Sequence, residues 1–283
     1  MTVTIPFTKA SGAGNDFVLL NAMGGPPVAD YPRLARAVCD RHFGIGGDGL
    51  LVLAPGRNAD FLMLYYNADG STGGMCGNGG RCIARFAYME GVAGRHQKFE
   101  ALGYTYEADV GESGAVRLKM KDPSGLRTDL RLDGGKGEPL EGTFIDTGAP
   151  HLVIFVEDLD HMDVGGVGKA LRYHQAFAPG GTNVNFVSDL SGSTIRIRTY
   201  ERGVESETLA CGTGSVASAL IAARRNELKS PVRVNVQSGE VLLVHFTAGG
   251  DSWHDIALEG SAHILFHGTM FYDADSSILR WMP

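Results

Sequence analysis

Cysteine is scarce in this sequence, and its scarcity excludes one class of protein. The chain has four cysteines among 283 residues, and they are scattered along it at Cys39, Cys76, Cys82 and Cys211. A disulfide framework needs more cysteines at closer spacing in a chain of this size. We therefore expect thiols in a reducing cytoplasm, where they are available for chemistry.

Long apolar runs are also missing. The N-terminal stretch MTVTIPFTKASGAGNDF has no basic head followed by a long apolar segment, so we expect no secretion signal. Apolar runs such as residues 152–156 are far shorter than the roughly 20 residues that a membrane helix needs. We expect a cytoplasmic protein that does not bind a membrane.

Basic residues are outnumbered, and the usual motifs for bound groups are absent. Lys and Arg number 25 against 32 Asp and Glu, which gives a net charge of −7 and makes nucleic acid an unexpected partner. Cys76 and Cys82 have no histidine close by, as a zinc site would require. The stretch FGIGGDG follows a predicted helix rather than a strand, unlike a dinucleotide-binding loop. We expect neither a metal nor a cofactor.

Glycine, by contrast, is abundant, with 40 residues. Because the glycines lie among ordinary hydrophobic runs, they predict tight turns and close backbone approaches rather than disorder. The hydrophobic share of 43% and the charged share of 20% are typical of a soluble globular protein. A chain of this length lies where one hydrophobic core commonly gives way to two.

One short pattern occurs twice in the chain. In each copy a strand-like run and a tyrosine precede a cysteine, and Gly-x-Gly and a helical stretch follow it. The first copy comprises 60–65, Tyr66, Cys76 and 81–90, and the second comprises 194–199, Tyr200, Cys211 and 215–227. The repeat predicts two halves, each with a cysteine at the start of its principal helix.

Most of the remaining chain is predicted to form strands. Segments 143–156, 184–187 and 232–244 have strand character with Gly-containing turns, and 31–40 predicts the one additional helix. The Pro- and Gly-rich segment 122–139 is typical of a linker. The fold class that follows is α+β, with two β-rich domains and one principal helix in each.

A cysteine at the start of a helix lies in a particular electrostatic environment. The first N–H groups of a helix have no partner within it and carry the positive end of its dipole. Glycines beside the cysteine let a carboxylate approach those groups closely. The same field lowers a cysteine pKa from about 8.5 towards neutrality, which makes the thiolate accessible.

Two such cysteines indicate a more specific type of reaction than one cysteine would. If both helix N-termini converge on one cleft, the α-carbon of a substrate lies between the sulfurs of Cys76 and Cys211. One thiolate then removes the α-proton, and the opposite thiol returns a proton to the other face. The N–H donors stabilise the enolate-like charge that develops on the carboxylate. The sequence therefore predicts stereoinversion by two acid/base groups.

Six sequence blocks and the tail 260–268 resemble the diaminopimelate epimerase family. The blocks occur in the family's order: KASGAGNDFVLL (9–20), CDRHFGIGGDGL (39–50), NADGSTGGMCGNGGRC (67–82), GAPHLV (148–153), GGTNVNFV (180–187) and TYERGVESETLACGTGS (199–215). The resemblance covers nearly the whole chain. It implies epimerisation of LL- to meso-2,6-diaminopimelate for lysine and peptidoglycan precursors, without a cofactor or metal, by a homodimer.

The resemblance also implies a fold. Two pseudo-symmetric domains are expected, each a mostly antiparallel sheet or barrel wrapped around a central helix. The first, 1–125, carries Cys76 and is completed by the tail 267–283. The second, 126–266, carries Cys211, and the active site lies in the cleft between the two.

Site residues carry over position by position. Cys76 and Cys211 match the paired acid and base, and His151 and Glu201 match positions that adjust the cysteine pKa values. The positions that match substrate-binding residues are Asn15, Asn67, Gly77, Asn78, Asn183, Glu201, Arg202, Gly212 and Thr213. Among them, the planar fork of Arg202 suits the distal carboxylate of the substrate.

The sequence departs from the family pattern in three places. Ala149 stands where the family often has Asn, Gly49 stands where some members have Gln, and ERGVESET is one residue longer than the commoner form. These differences concern the distal end of the substrate. They leave open an epimerase or racemase of the same mechanism that acts on another amino acid.

Other interpretations follow from the residues alone. Cys76 and Cys211 could instead form a switching dithiol pair in a redox sensor, or the chain could bind an amino acid without catalysis. Cys39 and Cys82 are predicted to be small buried hydrophobes. His151 by itself is typical of a structural histidine, and Asn15 and Asn67 beside glycines are typical of turns.

Overall fold

The computed structural model describes residues 2–25, 27–135, 137, 139–250 and 252–280. Within them the chain forms two compact units. The first comprises the residues up to Leu118 together with those from Gly260 onward, and the second comprises Lys119–Glu259. The first unit is therefore built from both ends of the sequence.

The described residues form strands and four α-helices. In chain order the elements are β1 (Thr2–Gly12), β2 (Asn15–Asn21), α1 (Tyr31–Cys39), β3 (Gly49–Ala54), β4 (Phe61–Asn67), α2 (Gly77–Met89), β5 (His96–Ala101), β6 (Tyr104–Val110), β7 (Val116–Lys119), β8 (Ser124–Leu132), β9 (Leu140–Asp146), β10 (Pro150–Phe155), α3 (Val164–Arg172), β11 (Asn183–Asp189), β12 (Thr194–Glu201), β13 (Ser206–Thr208), α4 (Gly212–Asn226), β14 (Val232–Asn235), β15 (Val241–Gly249), β16 (Ser252–Gly260), β17 (His263–Asp273) and β18 (Ile278–Arg280). None of these helices has the length and apolar content needed to cross a membrane.

The first unit is a sheet packed around α2. From β1 the strands pair in the order β1–β2–β3–β4–β5–β6–β7, and β17 pairs with the other edge of β1. The pairs β2–β3 and β4–β5 are parallel and the others antiparallel, because α1 and α2 provide the crossover that parallel neighbours need. Helix α2 contacts β1, β2, β3, β6 and β17, and nine of its 13 residues are buried.

The second unit repeats this order. Its strands pair as β8–β9–β10–β11–β12–β14–β15–β16, and β13 folds back on β12. Again two pairs are parallel, β10–β11 and β12–β14, and the helices α3 and α4 connect them. Helix α4 contacts β9, β10, β11, β12, β14 and β15, and residues 214–223 are all buried. The predicted fold class, two pseudo-symmetric and mostly antiparallel sheets around central helices, is confirmed.

Helix α3 was not expected, because only 31–40 was predicted as an additional helix. Its sequence VGGVGKALR contains three glycines, which have low helix propensity. Burial of Val164, Val167 and Leu171 outweighs that cost, and the Asp163 carboxylate caps the helix by accepting the Gly166 N–H at 2.9 Å. In the order of elements, α3 is the counterpart of α1.

The segment predicted as a linker, 122–139, contains a strand. Residues Ser124–Leu132 form β8, which pairs with β9. The Arg127 guanidinium lies 4.3 Å from the centroid of the Phe144 ring and covers it. Pairing with β9 therefore makes this polar stretch a strand rather than a linker. Lys136 and Glu138, at its end, lie outside the described residues.

The two cysteines predicted to be structural are buried. Cys39 is 2% exposed at the end of α1, and Cys82 is 0% exposed inside α2. Burial raises the pKa of the Cys39 thiol to about 12, so it remains protonated. The interpretation of both as small hydrophobic residues is confirmed.

Candidate active site

Cys76 is the N-cap residue of α2. Its backbone is extended, with φ −104° and ψ 120°, and its Sγ accepts the N–H of Gly79 at 3.5 Å. Gly77 begins the helix directly after it. The helix therefore starts four residues earlier than the stretch predicted from 81, because glycine-rich GNGG conceals helical periodicity. The sulfur lies where the partial positive charge of the helix end favours a thiolate.

The side chain of Asn78 joins this turn to Asn15. Asn78 Nδ2 donates to Asn15 Oδ1 at 2.7 Å, and Asn78 Oδ1 accepts from Arg81 Nη2 at 2.7 Å. Asn15 Nδ2 in turn donates to Asp48 Oδ2 at 2.8 Å. The resulting chain runs from a fully buried guanidinium to a carboxylate, and it fixes both asparagine side chains.

A second layer of charges holds Asp48 and the start of β2. Arg41 Nη2 bridges Asp16 and Asp48 at 2.7 and 2.8 Å, and Lys9 Nζ donates to Asp16 at 2.7 Å and to the carbonyl of Gly46. Burial would raise the pKa of Asp16, but the hydrogen bonds from Arg41 and Lys9 bring this pKa below its ordinary value. The start of β2, where Asn15 lies, is therefore held by ionic contacts.

Asn67 serves a turn. Its N–H donates to the Ser71 carbonyl at 2.9 Å, and its Nδ2 donates to Ser71 Oγ at 2.9 Å.

Gly49, on the neighbouring strand, explains one departure from the family pattern. A Cβ at this position would lie 2.6 Å from the Tyr66 carbonyl and would overlap the Tyr65 ring. The backbone here leaves no room for glutamine.

Cys211 is the N-cap residue of α4, again with an extended backbone at φ −121° and ψ 114°. Gly212 begins the helix, and Ser215 donates to the Cys211 carbonyl through both its N–H and its Oγ, each at 2.9 Å. The Cys211 Sγ lies 3.6 Å from Thr213 Oγ1, and the residue is 6% exposed. This sulfur therefore lies beside a hydroxyl group.

His151 lies behind Thr213. Its Nε2 is 2.8 Å from Thr213 Oγ1, and its Nδ1 is 3.1 Å from Asn185 Nδ2. Burial lowers the pKa of His151 to about 3, with the positive charge of Arg202 as a smaller cause. The imidazole is neutral at physiological pH.

Asn183 fixes the loop that carries Arg202. Its Oδ1 accepts the Arg202 N–H at 2.8 Å, and its Nδ2 donates to the Pro150 carbonyl at 2.9 Å. The guanidinium of Arg202 is exposed, with Nη1 3.5 Å from the Gly180 carbonyl. Ala149, at the position where the resembled family often has asparagine, is next to this Pro150.

Glu201 is half-buried and accepts a hydrogen bond from Thr208 Oγ1 at 2.9 Å. Burial raises its pKa above the ordinary value, although the Thr208 bond acts in the opposite direction. A cation placed beside this carboxylate would favour its charged form. Such a position suits the ammonium group of an amino acid.

The predicted site residues thus form two sets. Asn15, Gly77 and Asn78 lie with Cys76, and Gly212, Thr213 and His151 lie with Cys211, while Asn183 holds Arg202. The described bonds of Asn67 belong to its turn. The residues that support these sets, and that were not predicted, are Arg81, Asp48, Asn185 and Thr199. No cluster of three metal-ligating side chains occurs among the described residues.

Arg81 and Asn185 do leave a signal in the sequence. Arg81 is three residues after Asn78 on a helix, and Asn185 is two residues after Asn183 on a strand. Both spacings place the two side chains on one face. The partners from other strands leave no such signal.

The chain matches the family described as "Diaminopimelate epimerase" over residues 7–124 and 143–262. It is 45% identical over 263 residues to the diaminopimelate epimerase of Chlorobaculum tepidum, across 92% of this chain and 99% of that protein. It is 41% identical over 278 residues to that of Aquifex aeolicus, across 93% and 97% of the two chains.

Solved structures with low sequence identity have the same fold. A Bacillus anthracis phenazine biosynthesis protein of the PhzF family superposes with a TM-score of 0.71 at 14% identity, covering 94% of this chain and 98% of that one. A hydroxyproline epimerase from Agrobacterium vitis superposes with a TM-score of 0.70 at 14% identity, covering 96% and 92%. At such identity the likeness concerns the fold.

Proposed function

Because the chain belongs to the diaminopimelate epimerase family, we propose that it epimerises LL-2,6-diaminopimelate to the meso form without a cofactor. The observation that carries this proposal is the pair of cysteines, each the N-cap of the central helix in its own unit. The product serves lysine and peptidoglycan precursor synthesis. We further propose that the protein acts in the cytoplasm as a homodimer, which sedimentation would test.

In the proposed reaction, Cys76 and Cys211 act on opposite faces of one α-carbon. A thiolate takes the α-hydrogen as a proton, and the C–H electron pair remains on the substrate as an enolate-like anion. The opposite thiol then gives its proton to the other face. The first sulfur ends as a thiol and the second as a thiolate, so the next turnover runs in the reverse sense or follows proton exchange.

The two helix N-termini stabilise the anion. The N–H groups of Gly77 and Asn78, and of Gly212 and Thr213, are aligned with the helix dipoles. Negative charge on the reacting carboxylate increases as the α-proton leaves, and fixed donors stabilise that increase most. This arrangement replaces the electron sink that a cofactor would supply.

The distal end of the substrate is assigned to the loop after β12. Arg202 can hold a carboxylate through two parallel N–H bonds. Glu201 can accept from an ammonium group, which offsets the burial that raises its pKa. Asn183 keeps this loop in place through the Arg202 N–H. Asn15, fixed between Asn78 and Asp48, is assigned to the substrate on the side of Cys76.

One observation favours a second candidate. Ala149 lacks an amide that the family often has, Gly49 lacks one that some members carry, and Gly49 has no space for one. An epimerase or racemase that acts on another amino acid by the same mechanism would need fewer distal contacts. This candidate shares the two cysteines and differs only in the substrate.

The deciding experiment is isotope exchange in deuterated water. With LL-diaminopimelate we expect deuterium at the inverted α-carbon and formation of the meso isomer, and no meso isomer with Cys76→Ala or Cys211→Ala. Exchange on another amino acid but not on diaminopimelate would select the second candidate. Disulfide exchange with protein partners and no α-exchange on any amino acid would instead select the redox interpretation.

A further inference from the structure

We propose that Asn185 is a positioning residue that sets the tautomer of His151 and, through Thr213, the hydrogen bond to Cys211 Sγ. The inference rests on the proposed function for its kinetic consequence only. The relay itself consists of four side chains and the cysteine, all in the second unit: Thr199, Asn185, His151, Thr213 and Cys211.

Asn185 is a fully buried amide in the middle of a sheet. It lies on β11, opposite Val153 of β10 and Thr199 of β12. A buried amide is costly unless its donors and acceptor are bonded. Its bonds are therefore part of the structure, and their directions can be worked out.

The carbonyl of Leu152 shows which side-chain atom of Asn185 is the nitrogen and which is the oxygen. Asn185 Nδ2 lies 3.0 Å from Leu152 O, and a carbonyl oxygen can only accept. The NH₂ group therefore faces β10, and Oδ1 faces β12, where it accepts the Thr199 hydroxyl at 3.0 Å. A flipped amide would place two oxygens against each other.

The second N–H of the same NH₂ group points at His151. Asn185 Nδ2 lies 3.1 Å from His151 Nδ1, which must accept and so carries no proton. The neutral imidazole then has its proton on Nε2. A doubly protonated ring would set an N–H against an N–H, and full burial also favours the neutral ring.

The Nε2–H fixes the hydroxyl of Thr213 in turn. Nε2 donates to Thr213 Oγ1 at 2.8 Å, so the hydroxyl's own hydrogen is directed elsewhere. Cys211 Sγ lies 3.6 Å from this oxygen, within reach of a hydrogen bond to sulfur. The hydroxyl therefore donates to Cys211, and that bond is stronger when the sulfur is a thiolate.

The first test reads the tautomer directly. Protein with ¹⁵N-labelled histidine is studied by long-range ¹H–¹⁵N NMR, and the His151 signals are assigned by their loss in His151→Gln. We expect the proton on Nε2 in the wild type. In Asn185→Asp the carboxylate accepts instead of donating, so we expect the proton to move to Nδ1 and to leave Nε2 unprotonated.

The second test measures turnover of the same proteins. In Asn185→Asp, with the imidazole proton on Nδ1, the Thr213 hydroxyl must donate to His151 Nε2. It then no longer donates a hydrogen bond to Cys211 Sγ. We expect kcat to fall about 10-fold, the value of one hydrogen bond in the transition state, with little change in KM. Thr199→Val is expected to lower kcat less, and Thr199→Ser is expected to restore it. Gln97→Glu, a second buried amide-to-acid change, is the control and should keep kcat.

Two outcomes would overturn the inference. One is a wild-type His151 with its proton on Nδ1. The other is a folded Asn185→Asp that keeps the Nε2 proton and the wild-type kcat. Because the tautomer is read without turnover, failure to epimerise diaminopimelate would reject the proposed function and leave this test intact.

Discussion

The two cysteines occupy equivalent places in the fold and differ in their surroundings. Both are N-caps of a central helix that connects two parallel strands. The Cys76 sulfur accepts a backbone N–H, and ionic contacts hold the residues around it. The Cys211 sulfur lies beside a hydroxyl in a neutral buried relay. The fold thus provides the same helix end twice, and side chains make the two ends chemically different.

The largest effect expected from this comparison is loss of either sulfur. Cys76→Ala and Cys211→Ala should each lower kcat by at least about 1,000-fold, because two-face proton transfer needs both groups. Far-ultraviolet circular dichroism should show folded protein in both. Cys82→Ala, at a buried position not assigned to catalysis, is the matched control. An active single variant would contradict the two-base assignment.

Two equivalent glycines should respond in opposite directions. A Cβ at Gly214 would overlap Asn185 Oδ1 and lie 3.3 Å from Cys211 Sγ, so Gly214→Ala should lose about 2–4 kcal/mol of unfolding free energy. At Gly79 the nearest atoms would be 3.5 Å away, and Gly79→Ala should gain up to about 1 kcal/mol from helix propensity. Urea denaturation measures both. Equal losses would mean that the two helix starts are packed alike.

Arg202 separates binding from chemistry. Arg202→Ala should raise KM for diaminopimelate about 10- to 100-fold and change kcat little, because it removes charge-assisted bonds that ground state and transition state share. Arg202→Lys keeps the charge without the planar fork and should recover only part of the loss. A fall in kcat alone would place Arg202 with the reacting carboxylate instead.

The smallest effect is a pH dependence of stability that comes from the second unit. His151 has a folded pKa of about 3 against an ordinary 6.5, so only the unfolded chain binds its proton as pH falls between these values. The unfolding free energy should fall with pH by at most about 1.4 kcal/mol per unit in this window. His151→Gln should remove that slope.

Two carboxyl groups with shifted pKa values, Glu201 and Asp16, affect the stability in another direction or another pH window. The raised pKa of Glu201 lets the folded chain take a proton first, which opposes the slope as pH falls towards 4.5. The lowered pKa of Asp16 costs stability only as pH falls below 3.8. The difference between the wild-type and His151→Gln curves therefore isolates His151, and identical curves would contradict the assignment.

Sequence predicts what is local and repeated. Gly-x-Gly after a cysteine indicates both helix starts, and alternation indicates β12, because these features lie within a few residues. The sequence does not predict α3, since burial overrides the low helix propensity of its three glycines. The sequence does not predict strand β8, because the strand forms through pairing with β9 rather than through its own composition.

The parts of the candidate site that sequence cannot predict depend on three-dimensional neighbours. Asn185 gains its role only because β11 lies between β10 and β12, which places Leu152 and Thr199 on its two sides. Gly49 is explained only by the Tyr65 ring of the adjacent strand. Strand adjacency is a long-range property that a single sequence does not encode locally.

The pairing of β1 with β17 has a consequence for synthesis on the ribosome. These strands run antiparallel from Thr2 opposite Asp273 to Ser11 opposite His263, so β1 waits for a strand that follows the whole second unit in the chain. The unit Lys119–Glu259 is contiguous and can complete its sheet while translation continues. A transcript that ends early would leave β1 as an exposed edge, open to pairing with other nascent chains.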